Sequence, residues 1–497
     1  MKNKGSRRRP NKAAAPRKGE AASDGAGGDR LSKLPDDILL NILERVDTLD
    51  ALRTCILSKR MLKLPTMLSR FDIDVGNLAR HHDAASYGYT LNHVIQYNNA
   101  VAGVAEKILS ARNLEIPIRK LRLRFYVGRD GCLSISKAFA CTMATQRVDN
   151  AEFVLLTEKS CLKCTHDNLL YYAQQFNNCL GDYPAAFAGL THLWLRNMRF
   201  GELDIPNVLS TCKRLVSLRL SNCDAGVRSV LHIEHAQLVE LCIEEGKFEA
   251  VQLNGLPKLQ HVNFVGWCCP DPLTFRSVPQ LRKLRLEQIG ISSTKNLQLS
   301  QFLANVPWIS DLHLDFRSEK IWVLPESPKL LAPVLGKLQI VNLDNLPEGC
   351  DMAWTMFILE AAPSLRELCI TVWDDWCKIV TDKEFRRKNG YCEKANVEWQ
   401  PSDFDLKHKN LVKLTIHGFQ PDVIFVRYVR RILEVAVNMG DISLHDRKVC
   451  ERCMDLDPEI KVCPSRYPRT TEEKDMLKVE ITKELGMASH AVIHFRS

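Results

Sequence analysis

A short pattern, L-x-x-L-x-L with an apolar or small residue three positions later, recurs through the chain and leaves few folds open to it. It reads LTHLWLRNM from 190, LVSLRLSNC from 215, LVELCIEEG from 238, LQHVNFVGW from 259, LRKLRLEQI from 281, ISDLHLDFR from 309, LQIVNLDNL from 338, LRELCITVW from 365 and LVKLTIHGF from 411. Successive starts lie 25, 23, 21, 22, 28, 29, 27 and 46 residues apart. An earlier copy, IRKLRLRFY from 118, is clear, and one at VDNAEFVLL is faint. Alternation with period two is the signature of a strand with one buried face. A unit this short cannot bury that face alone, so copies at a near-constant period must stack on one another.

The pattern matches the leucine-rich-repeat template, in which each repeat adds one short strand to a parallel sheet and the spacer returns outside as helix or irregular turn. The fold class expected is therefore α/β, an irregular solenoid because the periods vary, with DKEFRRKNGYCEKANVEWQPSD as the loop filling the longest gap. In such an array the template leucines point inward and the residues between them line the concave surface. The candidates for target binding on that surface are Trp194, Arg196, Arg219, Lys283, Arg285, Asp311, His313 and Asp315. Charge there alternates in basic and acidic blocks, which suits a protein or peptide more than a uniform polyanion. Trp194 is the expected anchor, as an exposed aromatic on a sheet.

Ahead of the repeats, LSKLPDDILLNILERVD carries an apolar stripe too rich for its length. Pro35 suits the first helical turn, Asp36 and Asp37 favour the positive end of the dipole, and Ile38, Leu39, Ile42, Leu43 and Val46 fall on one helical face. TLDALRTCILSKR repeats the pattern, with Thr48 placed to cap. The run DRLSKLPDDILLNILERVDTLDALRTCILSKR resembles the start of a plant F-box protein, and the run from CERC to RYPRT and EEK near the carboxyl end resembles the tail found in grass F-box repeat proteins. The resemblance implies a small all-helical F-box that binds the Skp-type adaptor of a cullin-RING (SCF) ubiquitin ligase. The contacts it implies are Leu34, Pro35, Ile38, Leu39, Ile42, Leu43, Ser58, Lys59 and Arg60. The family usually has Trp after Ser-Lys-Arg and again about four residues on; this chain has Met61 and Pro65.

The remaining organisation follows from composition. Residues 1–29 are expected to form a disordered basic tail, 30–75 the F-box, 76–115 a linker with a helix, 116–435 the repeats and 436–497 a capping αβ unit. In that last unit Thr470 and Glu473 form a capping box and AVIHF makes a final strand. Of the formal net charge of +9, residues 1–30 hold nine basic against three acidic residues. That leaves 59 basic against 56 acidic residues elsewhere (68 − 9 and 59 − 3), a nearly neutral body for which no nucleic-acid partner is expected. No signal-type segment and no membrane-length apolar run occurs, so an intracellular protein of nucleus or cytoplasm is expected. His445, Cys450, Cys453 and Cys463 are weak candidates for a zinc site, since a single C-x-x-C lacks its second pair. No cofactor is expected, and no phosphate-loop, nucleophile-elbow or metalloprotease motif is present. The expected role is a non-catalytic substrate-recognition adaptor for an unknown protein target; the alternative is a repeat scaffold with no ligase role.

Overall fold

The structure is a computed structural model and describes residues 33–78, 91–226, 228–267, 273–289, 296–318, 321–347, 350–372, 397, 399–400, 405–447, 465–483, 485 and 491–496. The basic tail and most of the 382–403 loop lie outside the described residues.

The chain opens with α1 (Asp36–Leu43) and α2 (Thr48–Arg53), two short 3-10 turns, the strand β1 (Arg70–Asp74), a brief α3 (Val75–Leu78) and a long α4 (Leu91–Ala111). Next come β2 (Ile118–Tyr126), α5 (Arg129–Thr145), β3 (Val148–Leu156), α6 (His166–Asp182), β4 (His192–Arg196), β5 (Ser217–Ser221), β6 (Val230–Ile233), β7 (Glu240–Glu244) and β8 (Ala250–Leu253). The strands continue as β9 (His261–Trp267), β10 (Leu273–Phe275), β11 (Lys283–Gln288), β12 (Asp311–Asp315), β13 (Ile340–Leu346), β14 (Glu367–Val372), β15 (Lys413–His417), β16 (Asp441–His445) and β17 (Val492–Arg496).

Fourteen of these strands form one parallel sheet in the order β1-β2-β3-β4-β5-β7-β9-β11-β12-β13-β14-β15-β16-β17, one strand per repeat as the pattern requires. The template leucines pair across it in register, Leu193 with Leu218, Leu218 with Leu241 and Leu284 with Leu312, and all are buried. A three-stranded parallel sheet, β6-β8-β10, forms in the spacers of three successive repeats, a layer the pattern does not show. Strand ends turn out of the sheet through left-handed residues: Asn197, Asn222, Glu245 and Asn345 have φ of +54°, +49°, +51° and +53°. Asparagine tolerates that region better than most residues.

Three expectations change at the amino end. The stretch expected to be helical up to residue 75 already contains β1, which pairs with β2 from Arg70↔Lys120 to Asp74↔Arg124. The segment expected as a linker contributes α4, which packs on α5 and on β1 and β2 as the outer helix of the first repeat. The faint repeat at VDNAEFVLL is a full nine-residue strand. At the other end the capping box forms as expected: Thr470 Oγ1 accepts from Glu473 N at 3.2 Å and Glu473 Oε2 accepts from Thr470 N at 3.1 Å. β17 then closes the sheet against β16.

Candidate functional site

The stripe on α1 divides. Leu39 and Leu43 are 1% and 5% exposed and join the core that continues into the array, whereas Ile38 and Ile42 are 44% and 38% exposed. Spacing of four residues puts Ile38 and Ile42 on one outward ridge and Leu39 and Leu43 on the ridge beside it; Val46, in the bend past the end of α1, is exposed as well. Pro35 is exposed at the helix start, Leu34 is half-buried and Lys59 is exposed. Arg60 ties the module's ends together, donating from Nε to Asp36 Oδ1 and from Nη2 to the Leu34 carbonyl, both at 2.6 Å. Ser58 Oγ accepts from Met61 N at 3.1 Å. Met61 and Pro65 are buried within this chain.

The module is fastened to the sheet by groups that sequence reasoning passed over. Glu44 Oε1 accepts from Ser69 N (3.0 Å) and Ser69 Oγ (2.6 Å), and Thr48 Oγ1 accepts from Asp72 N (2.7 Å). Arg112, buried at the end of α4, donates to the Leu68 carbonyl at 2.9 Å and to Gln146 Oε1 at 2.8 Å, with its guanidinium 5.4 Å from the Phe71 ring centroid. Burial lowers its pKa. Its Nη1 and Nη2 donors are met while Nε is buried without a partner among the described residues, so these two hydrogen bonds and the Phe71 ring must offset the cost of burying the charge.

On the concave face, strand register explains the charge pattern. Residues that alternate in sign along the chain stand beside one another across the sheet: Arg122 pairs with Glu152 (3.1 Å) and Asp72 (3.4 Å), Arg285 with Asp315 (3.3 Å), Arg317 with Glu287 (3.0 Å), Lys283 with Asp311 (3.7 Å) and Lys413 with Glu367 (2.9 Å). The blocks expected as a target-facing pattern are in large part cross-strand partners, which stabilise the sheet in their own right. Burial raises the pKa of Glu287, assisted by the charge of Asp315 and opposed by Arg317 and Arg285. Among the described residues Arg196, half-buried on the same face, forms no ion pair.

Trp194 is not the freely exposed anchor expected. It is half-buried, its Nε1–H donates to Ser221 Oγ at 2.9 Å, and the Arg219 guanidinium sits 4.0 Å from the ring centroid. Ser221 Oγ donates in turn to Glu244 Oε2 (2.9 Å), and Arg219 binds both Glu244 oxygens at 3.1 and 2.5 Å. The four side chains close a ring of contacts over β4, β5 and β7, a preformed aromatic platform with one face held by a cation.

His313, Asp315 and Asp344 bring one imidazole and two carboxylates within 4.8 Å of one another, residue types able to hold a divalent cation. Each is already engaged: His313 Nε2 with Asp344 Oδ2, Asp344 Oδ1 by Thr371 Oγ1 (2.9 Å), and Asp315 by Arg285, Asn345 Nδ2 (2.9 Å) and Arg317 N (3.0 Å). Burial pushes the Asp344 carboxyl up, but the His313 and Thr371 contacts outweigh it and the pKa ends below the usual value. Of the weak zinc candidates, His445 stacks on His417 with ring centroids 4.3 Å apart, while Cys450, Cys453 and Cys463 lie outside the described residues.

A helical amino-terminal module joined to a one-strand-per-repeat parallel solenoid defines an F-box leucine-rich-repeat protein. The family described as At1g61320/AtMIF1, LRR domain matches residues 183–481, more than half of the chain, and the F-box domain family matches residues 31–72. The chain belongs to that LRR-domain family and is a plant F-box/LRR protein. It is similar to two Arabidopsis thaliana proteins, F-box/FBD/LRR-repeat protein At3g49030 and F-box/FBD/LRR-repeat protein At2g04230. Identity to the first is 24% over 359 residues, covering 70% of this chain and 74% of the relative. Identity to the second is 27% over 370 residues, covering 70% and 75%. Among solved structures, the "Crystal structure of TLR13-ssRNA13 complex" aligns at a TM-score of 0.27 and 10% identity over 79% of this chain and 62% of that one. The two domains together support an SCF substrate-adaptor role in general, and proteins of this class are typically adaptors rather than catalysts.

Proposed function

We propose that the chain is a substrate-recognition subunit of an SCF-type ubiquitin ligase, working in the nucleus or cytoplasm: the module docks a Skp-type adaptor and the concave face holds a protein target. The observation that carries this reading is the divided stripe of α1. Ile38 and Ile42 on α1, with Val46 just past its end, face solvent on a module whose own packing is already supplied by Leu39 and Leu43. Apolar side chains clustered on an exposed helix ridge suit a partner groove. The replacement of the family's Trp pair by Met61 and Pro65 favours a scaffold without a ligase role only if those positions face the adaptor. Met61 is buried in this chain's own core and Pro65 is buried at the wall of the cavity beside α4, so adaptor contact need not depend on them.

The subunit would do no chemistry. Holding a target lysine near a charged ubiquitin carrier raises effective concentration, and a rigid tie between docking and target surfaces preserves that gain. The test is co-purification of the full chain with a Skp-type adaptor, beside the double change Ile38→Asp, Ile42→Asp. Retention of the adaptor by the unmutated chain and its loss from the variant, at unchanged melting temperature, is expected. Failure of the unmutated chain to retain any Skp-type adaptor would select the scaffold reading.

A further inference from the structure

Where the module meets the array, a half-open cavity of about 240 Å³ lies between α2, the turns that follow it and α4. Its walls are apolar, among them Leu52, Leu62, Val104 and Ile108, and Lys107 is the one charged residue lining it. An apolar recess of this order removes the apolar face of a small ligand from water, which favours binding in proportion to the area covered. Among the described residues Lys107 makes no ion pair, and it is exposed at the cavity's edge. Cys55 also lines the cavity, and burial raises its pKa, so the wall it contributes is an uncharged thiol.

We propose that this cavity binds a compact apolar monocarboxylate of about a dozen non-hydrogen atoms, its ring or chain between α2 and α4 and its carboxylate against Lys107. The size sets the upper limit, since the cavity lies below the volume usual for drug-sized ligands. The single cation at an otherwise apolar opening sets the head group. A molecule seated there would touch both the module and the first outer helix of the array, and so stiffen the joint that sets one against the other. The site does not rest on adaptor docking and stands or falls apart from it.

The test uses the full chain and two probes of one shape, naphthalene-2-carboxylate and its neutral amide, in isothermal titration. The acid is expected to bind at least fivefold more tightly than the amide. Lys107→Met should remove that preference, and Val104→Phe should abolish binding of both at an unchanged melting temperature. Should Val104→Phe fail to fold, the Lys107→Met comparison and one further readout decide: alkylation of Cys55, followed at its own peptide, slows when the acid is bound. No binding of either probe, equal binding of both, or no protection of Cys55 would overturn the proposal.

Discussion

Leu39→Ala tests whether the helical module is a tethered unit or part of the array. Leu39 is 1% exposed and lies in the core that continues through Phe71, Ile73 and the inner face of α4, so the change leaves a cavity at the joint. Truncation of a buried leucine costs about 2–5 kcal/mol. Taking ~3 kcal/mol, and ~1.4 kcal/mol per factor of ten, the opening equilibrium of the joint rises about a hundredfold. Hydrogen exchange under native conditions reads this directly. Amides of β1 and of α4 around Val101 and Ala105 should exchange up to about a hundredfold faster, together with those of α1, whereas β12–β14 should be unchanged because repeats couple chiefly to their neighbours. Ile38→Ala, at 44% exposure, serves as the control and should shift stability by about 0.5 kcal/mol or less. Acceleration confined to α1 and α2 would refute the shared core and make the module a separate body.

Three further outcomes follow from individual contacts. His235 is held neutral, Nε2–H donating to the Cys212 carbonyl (3.1 Å) and Nδ1 accepting from Gln237 N (3.2 Å), and burial lowers its pKa from 6.5. The folded state then binds fewer protons than the unfolded, so stability present above 6.5 is lost as pH falls through that value; His235→Asn should flatten the dependence of melting temperature on pH there. Asn197, with φ of +54°, accepts from Asn222 Nδ2 (2.7 Å) and donates to Thr157 Oγ1 (2.5 Å). Asn197→Ala should cost ~2–4 kcal/mol in urea unfolding, and Asn197→Gly about 1 kcal/mol less, because glycine keeps the left-handed turn and loses only the hydrogen bonds. A double-mutant cycle on Trp194→Leu and Arg219→Met should give a coupling of ~0.5–2 kcal/mol in stability; additivity would dissolve the platform into independent residues.

The solenoid was readable because its signal is local. Each strand announces itself within nine residues, and the recurrence of the leucines sets how strands stack. The start of β1 was not, since RFDID carries neither template leucine and follows a helical run without a break. The joint was hidden for a different reason: Glu44 meets Ser69 only once the module folds back on the start of β1, and Arg112 meets Leu68 only after α4 has been laid along the sheet. Periodicity placed Ile38, Leu39, Ile42 and Leu43 on one face; packing then divided adjacent residues between core and solvent, a distinction finer than an apolar stripe can carry. The charged concave residues were correctly placed on their strands, but their meaning changed. Opposite signs 25 to 30 residues apart read as blocks along the sequence, and register turns them into neighbours.

That change bears on what the arc offers a target. Wherever a cross-strand pair is already made, a target residue must displace it to gain the same contact, and an exposed pair of this kind contributes only about 0–1 kcal/mol. The gain left to a target lies where a group has no opposite number among the described residues: the Arg196 guanidinium, two residues beyond Trp194 on the same face of β4 and opposite Ser221. An acidic side chain reaching Arg196 while an apolar neighbour covers the Trp194 ring would gain both contacts without breaking the Arg219–Glu244 pair. Arg196→Ala is therefore expected to weaken target capture by about tenfold while leaving urea unfolding within about 0.5 kcal/mol. Glu244→Gln, which loosens Arg219 from the ring, should weaken both capture and stability. Equal loss of capture from Arg196→Ala and from Lys283→Ala, whose charge is already paired with Asp311, would show that the arc is read by its net field and not by the residues its register leaves open.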